Sequence, residues 1–535
     1  MSPSQSLEDK NAVDLDACRR AALAEIDNAE FSWFHARVVC VAGVGFFTDA
    51  YDIFSISIVA TMLGMVYNNG ATSLGVNQDL GIKVATPVGT VLGQLLFGWL
   101  ADVVGRKRMY GIELIIIIFT TFAQAISAAG PGLSMTGVFV VWRFLLGVGI
   151  GGDYPLSAVI SSEFASTRIR GRMLAAVVAN QGWGNLASAI VSVVVISVYK
   201  SRIENPEHTV KSIDQVWRLI IGLGCVPAVV ALYFRLTIPE TPRFTMDIER
   251  NVLSARKDIK IVLGDHPSYV GEKTAVIRAD APKASFRDFV AYFSQRQNGK
   301  VLFSTAYSWF ALDIAFYGLG LNTSKVLADI GFSDSSAKPY DLLLKTAIGN
   351  IILAVGGLIP GYWATFIFID SWGRKPIQLL GFGMLSVLFV LMGFGYSTFH
   401  ETQNSRDAFV FLYCLTNFFQ NFGPNTTVFI VPGELFPTRY RSTAHGISAA
   451  SGKLGAVVAQ VGFARLTNLK GAGSKNGWLD HIFEIFALFM LTGFFSTLLI
   501  PETKNKSLEE LSNENQEGFV RPKTVSVSRI AYNRA

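Results

Sequence analysis

Charge is scarce in this sequence. Lys, Arg, Asp and Glu make up 16% of its 535 residues, against about 25% in soluble domains, and the mean hydropathy is +0.38. Both values argue against a soluble chain. Cysteine is scarce as well. Cys18 lies in the N-terminal tail and Cys40, Cys225 and Cys414 in apolar segments, which leaves no disulfide framework. The apolar runs are apolar on both faces, which excludes the strands of a membrane barrel. The first 30 residues are polar and acidic, with no basic stretch leading into a short apolar core. No cleavable signal peptide is therefore expected, and the first span should act as the insertion signal. The sequence offers no metal cluster and no nucleophile constellation, so neither an enzyme nor a cofactor is predicted. A net charge of +6 and a pI near 9.0 do not point to nucleic acid, because the basic residues cluster in short loops.

What is present is a series of apolar runs long enough to cross about 30 Å of hydrocarbon. In lipid only helices and closed barrels satisfy the backbone, so the expected fold class is an all-α membrane protein. Twelve spans are predicted, near 37–67, 82–103, 109–129, 136–162, 173–199, 217–238, 300–322, 342–369, 376–397, 407–433, 443–467 and 479–500. The widest gap divides them six and six. The expected organisation is an N-terminal segment (1–36), a six-helix bundle (37–239), a central loop (240–298) with amphipathic helices, a second six-helix bundle (299–500) and a C-terminal tail (501–535). Lys and Arg concentrate in that loop and in the loops after spans two, four, eight and ten, which predicts cytoplasmic termini.

Three elements recur in order. Asp-x-x-Gly-Arg-Lys starts at Asp102 and again at Asp370, a shift of 268. EFASTRIRG at 163–171 matches ELFPTRYRS at 434–442, and PET at 239–241 recurs at 501–503. Two halves related by an axis along the membrane normal follow, with a substrate site between them near mid-depth. Within the spans lie carboxylates, Asp49, Asp153 and Asp313. Charges at that depth are expensive and are kept for ion, proton or substrate handling.

The loop elements resemble those of the major facilitator superfamily, with Gly98, Asp102, Gly105, Arg106, Lys107 and Arg108 matching its second-helix signature. GGDYPLS at 151–157, FFTDAYDIF, GPNTT and VPGELFPTRYR resemble the fungal and plant high-affinity phosphate:proton symporters within it. The resemblance implies two six-helix bundles, rocker-switch alternating access, and import of dihydrogen phosphate with protons across a plasma membrane. It implies a cytoplasmic gate of Asp102, Arg106, Glu163, Arg172, Asp370, Arg374, Glu434 and Arg441, although the basic cluster also serves topology alone. It implies substrate contacts from Tyr154, Gln181, Trp309, Asp313, Tyr317 and Asn425, with Asn421, one turn from Asn425, as the alternative.

Trp309, Asp313 and Tyr317 fall at intervals of four, hence on one helix face. An ionised Asp313 accepts a hydrogen bond from phosphate and discriminates against sulfate, which lacks that hydrogen at neutral pH. The resemblance places Asp49 and Asp153 on the proton route, with Asp313 as a further expected proton carrier and Asp52 as a weaker one; pairing of one or more of the first-bundle carboxylates with Arg143 is the structural alternative. Lys453, inside the eleventh span, has three readings: attracting the anion, pairing with a carboxylate, or snorkelling to the interface. A sugar or organic-acid symporter of the same fold, and a phosphate receptor that does not transport, are the competing functions. Asn322 heads a glycosylation sequon at an outer helix end, too close to the bilayer for use to be expected.

Overall fold

The computed structural model describes residues 15–68, 71, 74–238, 240–248, 279–280, 284–332, 338–467, 478–514 and 521–522. Each predicted span falls on a helix: α1 Trp33–Tyr67, α2 Val76–Val104, α3 Arg106–Ala125, α4 Met135–Phe164, α5 Arg170–Val198, α6 Thr209–Arg235, α7 Arg296–Gly320, α8 Pro339–Trp372, α9 Arg374–Phe394, α10 in two pieces (Gln403–Asn421 and Pro424–Leu435), α11 Arg441–Leu466 and α12 Leu479–Leu498. Ten of these are apolar enough to cross a membrane by composition alone. The other two are α7, which carries Asp313, and the broken α10. The chain is thus an all-α membrane protein of twelve spans in two six-helix bundles. Of the helices expected at 240–298, short ones appear at Pro242–Asp247 and Phe286–Phe293; residues 249–278, 281–283 and Pro239 lie outside those described.

The break in α10 has a local cause. Pro424 has no N–H to donate and disfavours helix at the residue before it. The carbonyl freed at Asn421 is taken by the Thr365 and Thr426 hydroxyls at 2.6 and 2.8 Å. In α4, Pro155 directly follows Tyr154. Asn425 thus sits just past the break in α10, in surroundings that satisfy the freed backbone, whereas Tyr154 precedes a proline inside a continuous helix.

Within the first bundle α2 packs on α4 and α1 on α5; α2 meets α11 and α5 meets α8 across the bundle boundary. Large apolar side chains such as Trp99, Phe119, Tyr233, Phe411 and Phe495 stay exposed on the outer faces, a surface that suits lipid.

The repeated elements assemble into two copies of one cluster on the face of the basic loops. In the first, Glu163 receives Arg106 at 3.4 Å and Thr241 at 2.5 Å, while Glu240 caps the backbone N–H of Lys107. In the second, Glu434 receives Arg374 at 2.8 Å and the Thr503 hydroxyl, while Glu502 caps Arg374 and Lys375. An arginine from the opposite bundle completes each, Arg441 on Glu163 and Arg170 on Glu434, both at 2.8 Å. Asp102 accepts from the backbone of Ser442 and Thr443, again across the boundary. Arg172 stands differently. Its side chain is half exposed, 3.6 Å from Asp370, and its backbone N–H donates to the same carboxylate. The buried arginine of this repeat is Arg170, two residues earlier, in register with Arg441.

The opposite face is bridged too. Asp79 receives Lys83 at 3.1 Å and Lys325 at 2.6 Å, Lys83 donates to Asn322, and the Ser57 and Ser324 hydroxyls lie 2.9 Å apart. The bundles therefore touch at both ends around a closed centre. The Asn322 side chain is buried within this bridge, which removes it as a glycan acceptor.

Candidate substrate and proton site

Between the bundles, midway along the helices, a small cavity is walled by α1, α4, α5, α7, α10 and α11. Tyr154, Gln181, Trp309, Asp313, Tyr317 and Asn425 all line it. The i, i+4, i+8 spacing on α7 accounts for Trp309, Asp313 and Tyr317. Lys453 lines it as well, and its Nζ donates to Asp313 Oδ2 at 2.7 Å. Both side chains are at most 2% exposed, so of the three readings of Lys453, pairing with a carboxylate is the one observed. The ammonium also lies 4.5 Å from the Tyr317 ring centre and 5.1 Å from that of Tyr154, within cation–π range.

A chain of hydrogen bonds crosses the cavity from one bundle to the other. Gln181 donates to the Tyr154 hydroxyl at 2.7 Å, the Tyr362 hydroxyl donates to Gln181 Oε1 at 2.8 Å, and Asn425 donates to Tyr362 at 2.7 Å. Asn425 also donates to Asn421 Oδ1 at 2.7 Å. Asn425 is thus the cavity residue, and Asn421 holds it from behind. Tyr362 lies in the predicted eighth span but in no motif, and the sequence reading missed it. Trp309 is fixed edge-on by His445 on α11, with ring centres 5.4 Å apart. A Cβ on Gly452 would fall 2.3 Å from Trp309 Cδ1 and 2.9 Å from Asp313 Oδ2, so α11 can approach α7 this closely only with glycine there.

The first bundle holds a separate set of buried carboxylates. Both carboxylate oxygens of Asp49 are buried without a hydrogen-bond partner. Asp153 accepts from Arg235 at 2.6 Å and from Ser157 at 2.5 Å, and the same guanidinium reaches Glu113 at 2.7 Å. The arginine beside Asp153 is therefore Arg235, not Arg143. Arg143 donates instead to the Asp52 carbonyl at 3.2 Å, and the Asp52 carboxylate takes the Thr121 hydroxyl at 2.8 Å. Asp52 thus turns to α3, away from the Asp153 cluster. Gly45 accommodates the Arg235–Asp153 pair: a Cβ there would lie 1.7 Å from Arg235 Nη2.

This geometry can bind an oxyanion: one cation, one carboxylate, hydroxyls and amides, in a site closed at both ends. The sequence profile of the family described as "Sugar (and other) transporter" matches residues 38–514. The chain belongs to that family. It is 49% identical to a repressible high-affinity phosphate permease of Neurospora crassa, over 93% of this chain and 89% of that one. It is 47% identical to an inorganic phosphate transporter of Saccharomyces cerevisiae, over 95% and 89%, and 39% identical to a probable inorganic phosphate transporter of Oryza sativa subsp. japonica, over 92% and 95%. A solved proton:xylose symporter of the major facilitator superfamily superposes with a TM-score of 0.67 at 19% identity, over 90% of this chain and 99% of that one; that likeness concerns the fold. Within the family the chain groups with the fungal and plant phosphate transporters. It is a carrier rather than an enzyme on that ground.

Two further residues belong to the buried machinery and were missed from sequence. Glu113 opens IELIIIIF and Arg235 ends the sixth span. Both sit at predicted span ends, where a charge ordinarily reaches water. Their burial comes from helix packing, which spacing along one helix does not reveal.

Proposed function

We propose that this chain imports inorganic phosphate, as the dihydrogen anion, together with protons across a plasma membrane by alternating access. The observation that carries the proposal is the Lys453–Asp313 pair in the wall of a closed cavity ringed by Tyr154, Gln181, Trp309, Tyr317 and Asn425. The names of the fungal and plant relatives support the choice of phosphate. A neutral sugar needs no such ion pair.

The chemistry follows from the residues. Lys453 supplies the charge that an oxyanion requires, the Trp309 N–H and the amides donate, and the carbonyl oxygen of Asp313, protonated while phosphate is bound, accepts from a phosphate hydroxyl. Asp313 holds Lys453 in the ion pair. A proton on Asp313 releases the ammonium to the anion, and loss of that proton re-forms the pair and expels phosphate. Asp49 is the second carrier: a proton there cancels a buried charge that no neighbour hydrogen-bonds. Asp153, with Arg235 and Glu113, continues the route along the first bundle. Each charge moved against the membrane potential involves about 2.3 kcal/mol per 100 mV, so uptake of a monoanion assisted by the potential needs more than one proton.

The basic-loop face is the cytoplasmic one, with both termini on it, and the bundles run from 37–239 and 299–500 around the central loop. The Glu163 and Glu434 clusters, with Asp102, Arg106, Asp370, Arg374 and Arg441, form the cytoplasmic gate, and Arg170 takes the buried role that the reading gave to Arg172. Competition decides the substrate. Uptake of labelled phosphate into proteoliposomes should be blocked by excess phosphate and untouched by sulfate or glucose; block by glucose would replace this proposal with a sugar symporter.

A further inference from the structure

A second, larger cavity lies between α1, α5, α7, α8 and α10, in their halves away from the basic loops. It shares Phe316 with the central cavity. Phe54 closes against that ring edge-on at 5.7 Å and stacks on Tyr317 at 6.0 Å, so two aromatic side chains form the partition. The lining mixes apolar and uncharged polar side chains: no Asp, Glu, Lys or Arg contributes. Asn185 and Ser188 face it from the first bundle, Asn350, Asn417 and Gln420 from the second. Gln420 is 2% exposed, and its amide Nε2 is buried with no hydrogen-bond partner. A buried donor left unpaired is destabilising, and a ligand oxygen relieves it.

We infer that this outer cavity is an entry subsite that holds dihydrogen phosphate before it passes the Phe54–Phe316 partition, with the Gln420 amide as its donor. The inference rests on the transport reading above. Amides and hydroxyls match both the acceptor and the donor sides of dihydrogen phosphate. The lack of a cation keeps the hold weak, as a transit site requires if its occupant is to move on; the Lys453 site beyond the partition then takes the anion with full charge.

The test uses the full-length protein in proteoliposomes with inorganic phosphate as the probe. Gln420→Leu keeps the volume and removes the donor. Losing one hydrogen bond to a charged group should raise the influx KM about tenfold and leave the rate at saturating phosphate near wild type. Calorimetric binding of phosphate to the detergent-purified variant reads the central site and should stay within about twofold of wild type. Ser188→Leu, from the facing bundle, should raise KM in the same direction and stands in if Gln420→Leu fails to purify. An unchanged KM in whichever variant folds overturns the subsite. A wild-type protein that takes up no phosphate overturns the transport reading instead.

Discussion

Lys453 of α11 and Asp313 of α7 face each other at 2.7 Å, each at most 2% exposed. Removing one member of a buried pair strands the other charge, at about 3–5 kcal/mol. Asp313→Asn and Lys453→Gln should each lower the melting temperature in detergent and each abolish proton-driven uptake. The double variant leaves no stranded charge, so its melting temperature should recover while uptake stays absent. Recovery of transport in the double variant would show that the pair is structural only.

Arg170 and Arg172 make a matched contrast at the gate. Arg170 is buried on Glu434, whereas Arg172 is half exposed beside Asp370. Arg170→Ala should loosen the closed basic-loop face, seen as faster hydrogen exchange in Pro424–Leu435 and a large loss of uptake. Arg172→Ala breaks an exposed pair worth about 0–1 kcal/mol and should leave exchange within twofold of wild type.

Gly45 offers a steric test of the first-bundle carboxylates. A single methyl group there overlaps Arg235 and Asp153. Gly45→Ala should displace the guanidinium, lower the melting temperature and stop proton-coupled uptake. Gly462→Ala, where an added Cβ meets nothing within 4 Å, is the control and should match wild type in both measurements.

These contrasts mark what was legible in the sequence. All twelve helices were, because runs of apolar residues must span a fixed thickness and charge falls between them. The α7 stripe was, because a period near four is a helix face. The clusters around Glu163 and Glu434 were legible as a repeat, but the choice between Arg170 and Arg172 depends on which residue of α5 turns inward, and only alignment with Arg441 decides it. Tyr362, Glu113 and Arg235 were invisible. Each is placed by how one helix packs on another, and Arg235 looks like an ordinary end-of-span arginine until α6 docks beside α1 and α3 and its guanidinium reaches Asp153 of α4.

The C-terminal tail gives a prediction in pH. Arg243 donates to Glu509 at 2.9 Å beneath the gate. Burial by itself pushes the Glu509 carboxyl up, but the charges of Arg243 and Arg441 and the Arg243 hydrogen bond outweigh it and hold the group at about 2, against an ordinary 4.5. A depressed carboxyl contributes stability that is fully present above its unfolded value and is lost as pH falls towards the folded one. The melting-temperature gap between wild type and Glu509→Gln should therefore be constant above about pH 5 and shrink as pH falls from 4.5 towards 2. A gap that widened with acid would contradict the ion pair.

The most direct test of the whole account is gradient-driven accumulation. Purified protein is sealed into vesicles, and labelled phosphate is followed with and without an inward proton gradient, for wild type and Asp313→Asn. The account predicts accumulation above the external concentration only with the gradient, and none for Asp313→Asn. Wild-type accumulation that ignores the gradient, or an Asp313→Asn protein that still concentrates phosphate with it, would contradict proton coupling at the Lys453–Asp313 site.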